Sequence, residues 1–195
     1  MSQEIEIEFK NLLIPEEFKR LTSYFQIKEE DFISQHNHYF DTPDHQLKEK
    51  RSALRIREKS GVYTLTLKTP LKEDLLETNQ TLSKNQSYSL LQEGIFPEGE
   101  VKEALNALSI PPTSLKHFGT LSTSRAEIDY RDGLLVFDQS SYLRKEDYEL
   151  EYEVKERASG QAIFLNLLER HHIPFRPTEN KIQRFYREKL KQDES

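Results

Sequence analysis

Polar and apolar residues alternate over long stretches of this chain, and that alternation predicts strands. Residues 3–13 (QEIEIEFKNLL) set charged residues against Ile, Phe and Leu at spacing two, and residues 147–156 (DYELEYEVKE) repeat the pattern late in the chain. Residues 32–41 read as a strand ending at Asp41. Residues 52–59 and 62–69 alternate again and meet at Ser60-Gly61, a hairpin signal. Residues 72–82 give a weaker strand, and residues 117–130 and 134–143 give two more, joined by Arg131-Asp132-Gly133. Helical periodicity fills the intervals. Pro15 opens a helix over 15–26 with Phe18, Leu21, Tyr24 and Phe25 as its apolar stripe. Asp41-Thr42-Pro43 reads as a cap before a short helical turn with the proline in its first turn. Further helices are expected at 84–93, 100–108, 159–172 (with Phe164, Leu167 and Leu168 as core) and 180–191. Eight or so strands, mostly in hairpins, with several helices predict an α+β fold with a large antiparallel sheet, curled or closed.

Composition narrows the class. A chain of 195 residues suits one domain spanning 1–195, or a tight pair of half-domains. Charged residues make up 32%, yet 11 Phe and 9 Tyr are too many for a disordered chain. The absence of cysteine excludes disulfides, thiolate catalysis and Cys-zinc sites. No stretch approaches the ~18 apolar residues of a membrane span. The opening MSQEIEIEFK lacks the apolar run of a signal peptide, so a cytoplasmic location is expected. A net charge of −6 argues against a bulk electrostatic grip on nucleic acid.

The charges are segregated in a way that solvated faces do not require. Glu4, Glu6, Glu8 and Lys10 share one face of the first strand, and Glu149, Glu151 and Glu153 share one face of the last. Like charges this close repel unless cations lie opposite. Basic strands come between them: Arg55 and Arg57, then Lys68. Arg125 heads a mixed strand with Glu127 and Asp129, and Lys181 and Arg184 lie three apart on the last helix. In a closed barrel such charges can point inward while helices cover the apolar face. Carboxylate oxygens suit Mg²⁺ or Mn²⁺, and Arg and Lys clamp phosphates. The six glutamates and seven bases nearly cancel, so a bound triphosphate would need metal to be neutralised. His36 and His38, at strand spacing, could form half of a zinc site, but no third ligand is evident.

These residues resemble those of the CYTH domains, also called triphosphate tunnel metalloenzymes. Glu6-Ile-Glu8-Phe-Lys10 is similar to the ExExK signature of that family. Tyr39-Phe-Asp41, Ala53-Leu-Arg55-Ile-Arg57 and Thr64-Leu-Thr-Leu-Lys68 resemble its next motifs. Arg125, Leu135-Val-Phe-Asp138, Tyr148-Glu149-Leu-Glu151-Tyr-Glu153 and Lys181 follow in the family's order. One departure stands out: many members read Ser-Lys-Tyr where this chain has Asn180-Lys181-Ile182.

The resemblance implies an eight-stranded antiparallel β-tunnel with charged side chains inside and helices packed outside. It also implies a small-molecule triphosphate as partner. By similarity, Glu6, Glu8, Glu151 and Glu153 hold Mg²⁺ or Mn²⁺, with Asp138, Glu4 and Glu149 as further candidates. Lys10, Arg55, Arg57, Lys68, Arg125, Lys181 and Arg184 hold phosphates. Glu6, Glu8, Lys10, Glu151 and Glu153 form the expected catalytic set. The leading expectation is hydrolysis of inorganic tripolyphosphate. Thiamine or nucleoside triphosphate hydrolysis, a class IV adenylate cyclase and a non-catalytic polyphosphate-binding module are the alternatives.

Overall fold

The computed structural model describes residues 3–193. Its strands are β1 (Gln3–Leu13), β2 (Ile33–Asp41), β3 (Ala53–Lys59), β4 (Val62–Leu71), β5 (Asp74–Leu82), β6 (Lys116–Tyr130), β7 (Gly133–Tyr142) and β8 (Lys145–Val154). They close into a barrel in the order β1-β5-β4-β3-β2-β6-β7-β8. The helices are α1 (Pro15–Tyr24), α2 (Gln46–Glu49), α3 (Lys84–Tyr88), α4 (Glu100–Ala107), α5 (Arg157–Arg170) and α6 (Lys181–Asp193). The eight strands are therefore those the alternation predicts, and the expected closed barrel is present. Backbone contacts group the residues into two compact units.

One unit holds the start of β1 up to Glu6 together with Gln35–Leu121, so it contains β3, β4 and β5 and most of β2. The β3–β4 hairpin turns at Ser60 and Gly61, with φ of 51° and 78°. Two left-handed residues in succession match the right-handed twist of the flanking strands, and Gly61 adopts its value without a Cβ penalty. With a side-chain period of two, Leu54, Ile56, Leu65 and Leu67 all fall on one face. There they meet Phe40, Leu47 of α2, Leu90, and Val101 and Leu105 of α4 in a core. Each such fully buried side chain contributes about 1.5–3 kcal/mol. Asp41 does cap α2, accepting from the Leu47 N–H at 2.9 Å and the Lys48 N–H at 3.2 Å. The helix, however, starts at Gln46 rather than at Pro43. Thr42, Pro43 and Asp44 form a turn, closed by the His45 N–H on the Thr42 carbonyl, and His45 enters the helix left-handed at φ 59°. The helix expected over 84–93 is α3 followed by a wider π-type turn at Ser89–Glu93.

The other unit holds Ile7–Ser34 and Ser122–Ser195, hence the rest of β1, α1, most of β6, and β7, β8, α5 and α6. Phe18 and Leu21 of α1, Leu135 and Phe137 of β7, Leu150 and Tyr152 of β8, and Phe164, Leu167 and Leu168 of α5 form its core. Tyr24 is a correction to the expected stripe. The helix ends there, and the side chain is 58% exposed, resting edge-on against His171 and Phe25. Gly160 lets α5 approach β8, since a Cβ there would stand 2.6 Å from a Val154 methyl. Glu156 caps α5 by accepting from the Ala158 and Ser159 N–H groups.

Candidate active site

In the first unit, the face opposite the Leu54–Leu67 core carries Arg55, Arg57 and Lys68. Lys68 lies directly across from Glu77 on β5, and Glu77 across from Glu4 on β1. The Lys68 ammonium pairs with Glu6 at 2.5 Å and Glu77 at 2.6 Å. Burial alone would push the Glu77 carboxyl up, but the Lys68 and Arg55 charges outweigh it and bring it down to about 2. Asn79 accepts from the Thr66 hydroxyl at 2.6 Å and donates to Glu4 and Glu77 at 3.1 and 3.3 Å. The two arginines have neutral neighbours on β2. Arg57 Nε donates to the buried Asn37 Oδ1 at 2.9 Å, and Arg55 bonds Tyr39.

In the second unit, the inward face of β8 carries Glu149, Glu151 and Glu153, opposite Leu150 and Tyr152. Asp138 on β7 lies across from Glu149, and Arg125 on β6 lies across from Asp138. Arg125 grips Asp138 with two bonds of 2.6 and 2.7 Å, and Glu151 with one of 2.8 Å. On β1, Lys10 stands across from Glu151 and Glu8 across from Glu153. Lys10 pairs with Glu8 and donates to Asn180 Oδ1 at 2.7 Å. From α6, Lys181 contacts Glu149, Glu151 and, at 2.8 Å, Asp138. Arg184, one turn further, reaches Asp147 at 2.9 Å and Glu149 at 2.8 Å. Phe185, against Tyr142, anchors this helix.

The electrostatics divide this cluster. Burial pushes Glu149 up and Lys181 and Arg184 pull it back, but the adjacent Glu151 adds to the rise, so it titrates near about 7. Burial opposes ionisation of Glu151 too, yet Lys181 and Arg125 hold its carboxyl well below the usual range. Burial opposes the charge of Lys181 and Arg125, but Asp138 above all, joined by Glu149 and Glu151 at Lys181 and by Glu151 and Glu153 at Arg125, keeps both firmly charged.

Asp138, Glu149 and Glu151 each offer an oxygen within 4.8 Å of the others. Hard oxygens in such a set fit a hard divalent cation, and the Lys181 ammonium among them shows that the pocket tolerates positive charge. Among the described residues this is the one grouping of three metal-ligating side chains. His36 and His38 do not join such a set. His38 instead bonds Thr120 at 2.9 Å, beside His117.

Four contributors have roles that sequence reasoning does not assign. Glu77 sits in the weaker strand, and its role needs the β4–β5 register. Asn37 and Asn180 are neutral. Asp147 opens the acidic run 147–156, but only α6 gives it a partner.

Comparison with known proteins places this geometry. A family model described as CYTH domain matches residues 4–186. "Putative triphosphatase YjbK" of Bacillus subtilis (strain 168) is 51% identical over 191 residues, covering 98% of this chain and 99% of that protein. The crystal structure of a "putative adenylate cyclase" (bh2851) from Bacillus halodurans superposes with a TM-score of 0.93 at 55% identity, covering 95% of this chain and 100% of that one. A more distant fold relative is HpAC1 from Hippeastrum, described as a "putative adenylyl cyclase" with a dominant triphosphatase activity. It has a TM-score of 0.77 at 22% identity and covers 94% and 95% of the two chains. A family match over nearly the whole length, on a closed barrel that carries the expected charged strands, leads to one conclusion: this chain belongs to the CYTH domain family.

Proposed function

We propose that this protein is a metal-dependent triphosphatase whose substrate is inorganic tripolyphosphate. The observation that carries the reading is the buried Asp138–Glu149–Glu151 set, surrounded by Lys10 of β1, Arg125 of β6 and Lys181 of α6. The name of the Bacillus subtilis relative points the same way. Carboxylates packed this densely are costly for a plain phosphate binder, because they repel the ligand. They suit a protein that recruits a divalent cation together with the anion.

Glu151, Asp138 and Glu149 would hold Mg²⁺ or Mn²⁺, with Glu153 and Glu8 as further donors. Such an ion supplies Lewis acidity and lowers the pKa of a bound water. Arg55, Arg57 and Lys68 bind phosphate oxygens, the guanidinium groups by paired bonds. Lys10, Arg125 and Lys181 neutralise the phosphoryl group under attack and its leaving pyrophosphate. Glu151 and Glu153 orient the attacking water. Its oxygen bonds the terminal phosphorus as the bridging P–O bond breaks, giving orthophosphate and pyrophosphate. Arg184 fits a different part from the one its sequence suggests. Its bonds to Asp147 and Glu149 support reading it as a brace for β8.

The Bacillus halodurans relative's name favours one second reading, a cyclase acting on ATP. Phosphate release from tripolyphosphate, ATP and thiamine triphosphate, with Mg²⁺, Mn²⁺ or EDTA, separates these readings. Preferred cleavage of tripolyphosphate that EDTA abolishes is the expected result. Pyrophosphate with cyclic AMP from ATP would replace the hydrolase by the cyclase. Metal-dependent binding without any release would leave a binding module.

A further inference from the structure

We infer that Asn180 is a positioning residue, a neutral tether that fixes the Lys10 ammonium for phosphate binding. The inference rests on the triphosphatase reading above and extends it to a residue outside the charged strands. Asn180 stands at the position where an N-cap is expected, since its carbonyl accepts the Gln183 and Arg184 N–H groups of α6. Asparagine there ordinarily turns its side-chain oxygen back onto the helix. Here that oxygen accepts from Lys10 Nζ at 2.7 Å instead.

The segment that delivers Asn180 is fastened along its length. Asn11, fully buried beside Lys10, accepts from the Arg176 N–H at 2.6 Å and donates to the Pro174 carbonyl at 3.1 Å. Thr178 Oγ1 accepts from the Leu12 N–H at 3.0 Å. Arg176 pairs with Glu17 through two bonds of 2.8 and 3.0 Å, and also donates to the Leu12 carbonyl at 2.9 Å. Residues 174–180 are thus locked to β1 and α1, and Asn180 ends this locked run.

Charge explains why an amide is placed here. Lysine carries a compact charge on a flexible stem and loses much rotamer freedom when held. Glu8 also holds Lys10, but as an anion it competes with phosphate and is itself a candidate metal donor. An amide oxygen fixes direction without cancelling the charge or repelling a polyanion. It keeps Lys10 in place when Glu8 turns to another cation. Serine, the residue many family members carry here, is shorter by one carbon and holds the ammonium less directly.

The test is a binding cycle with inorganic tripolyphosphate, read by titration calorimetry on wild type, Asn180→Ala, Lys10→Met and the double variant, beside steady-state phosphate release. Asn180→Ala should weaken binding and raise KM about tenfold, the usual weight of a bond to a charged group, with kcat changed less and the unfolding midpoint unmoved. In the Lys10→Met background it should add nothing. Asn180→Asp should be worse than Asn180→Ala, because it neutralises Lys10, and Asn180→Ser should recover part of the loss. Additive losses in the cycle, an aspartate as good as asparagine, or a lowered midpoint with unchanged KM would each overturn the inference. Wild type that neither binds nor cleaves tripolyphosphate would instead overturn the proposed function, and the tether with it.

Discussion

The two compact units present the same kinds of side chain in opposite arrangements. In the unit built on β3–β5, Arg57 bonds Asn37, Arg55 bonds Tyr39 while the Glu77 and Glu6 charges act on it from further off, and Lys68 pairs directly with Glu6 and Glu77. In the unit built on β6–β8, Arg125, Lys181 and Arg184 are each gripped by two or more carboxylates. A guanidinium steadied by an amide keeps its charge for an incoming anion. A guanidinium held by two carboxylates also offsets the cost of burying them. Under the proposed function, the first arrangement offers cations to phosphate oxygens, and the second combines a candidate site for a divalent cation with cations of its own. Residue types alone, alike in both units, do not separate them.

The largest effect should come from cutting into the second arrangement. Asp138→Ala strips Arg125 of its two-bond partner and leaves buried cations behind, a loss of about 3–5 kcal/mol in a denaturant titration. A change under 1 kcal/mol would mean that water or Glu151 replaces the carboxylate at no cost. In the first arrangement the fold should be indifferent while function suffers. Arg57→Ala should lower tripolyphosphate turnover at least about tenfold with a near wild-type unfolding temperature, since a phosphate ligand on a half-buried strand face is lost. Full activity in that variant would remove this unit from the phosphate site.

Acid should sharpen the contrast further. The Glu77 carboxyl is held down to about 2 in the folded chain, against an ordinary carboxylate value of 4.5. Its contribution to stability is therefore present above about pH 4.5 and lost as pH falls from there towards 2. Glu149 has the reverse sign. Raised to about 7, it favours the fold when protonated and costs stability as pH climbs from 4.5 through 7. Unfolding followed from pH 3 to 8 should show Glu77→Gln flattening the acid limb and Glu149→Gln the neutral one. Identical slopes in both variants would erase the distinction between the units. The smallest effect is expected for Asn37→Ala, a rise of a few fold in KM through loosening of Arg57, checked against an unchanged Arg57→Ala background.

Much of this was legible in the chain. Strand alternation marks β1 and β8, and Ser60-Gly61 marks the β3–β4 turn, because both signals are local. The charged faces could be assigned for the same reason, since a period of two needs no tertiary information. What was hidden depends on partners far away in sequence. Glu77 gains meaning only from lying across from Lys68, and Arg184 only from docking on Asp147 and Glu149, 37 and 35 residues earlier. Asn37, being neutral, carries no signature at all, and Asn180 shows only as a departure from the Ser-Lys-Tyr of many family members. Tyr24 was misplaced because helical period cannot say where the helix stops.

The division of the chain also sets a schedule for its synthesis. Apart from its first few residues, one unit is a continuous run, Gln35–Leu121, that can pair its strands as it leaves the ribosome. The other needs both ends: Ile7 to Leu13 of β1 must wait for Tyr148 to Val154 of β8, and Glu17 must wait for Arg176, 159 positions later. At 5–20 residues per second that interval lasts roughly 7–30 s. Throughout it, the Ile7–Leu13 part of β1 is a nascent strand without its β8 neighbour, alternating charge with apolar side chains. The charges of Glu8 and Lys10 in this segment would also serve in that window to keep one growing chain from sticking to another.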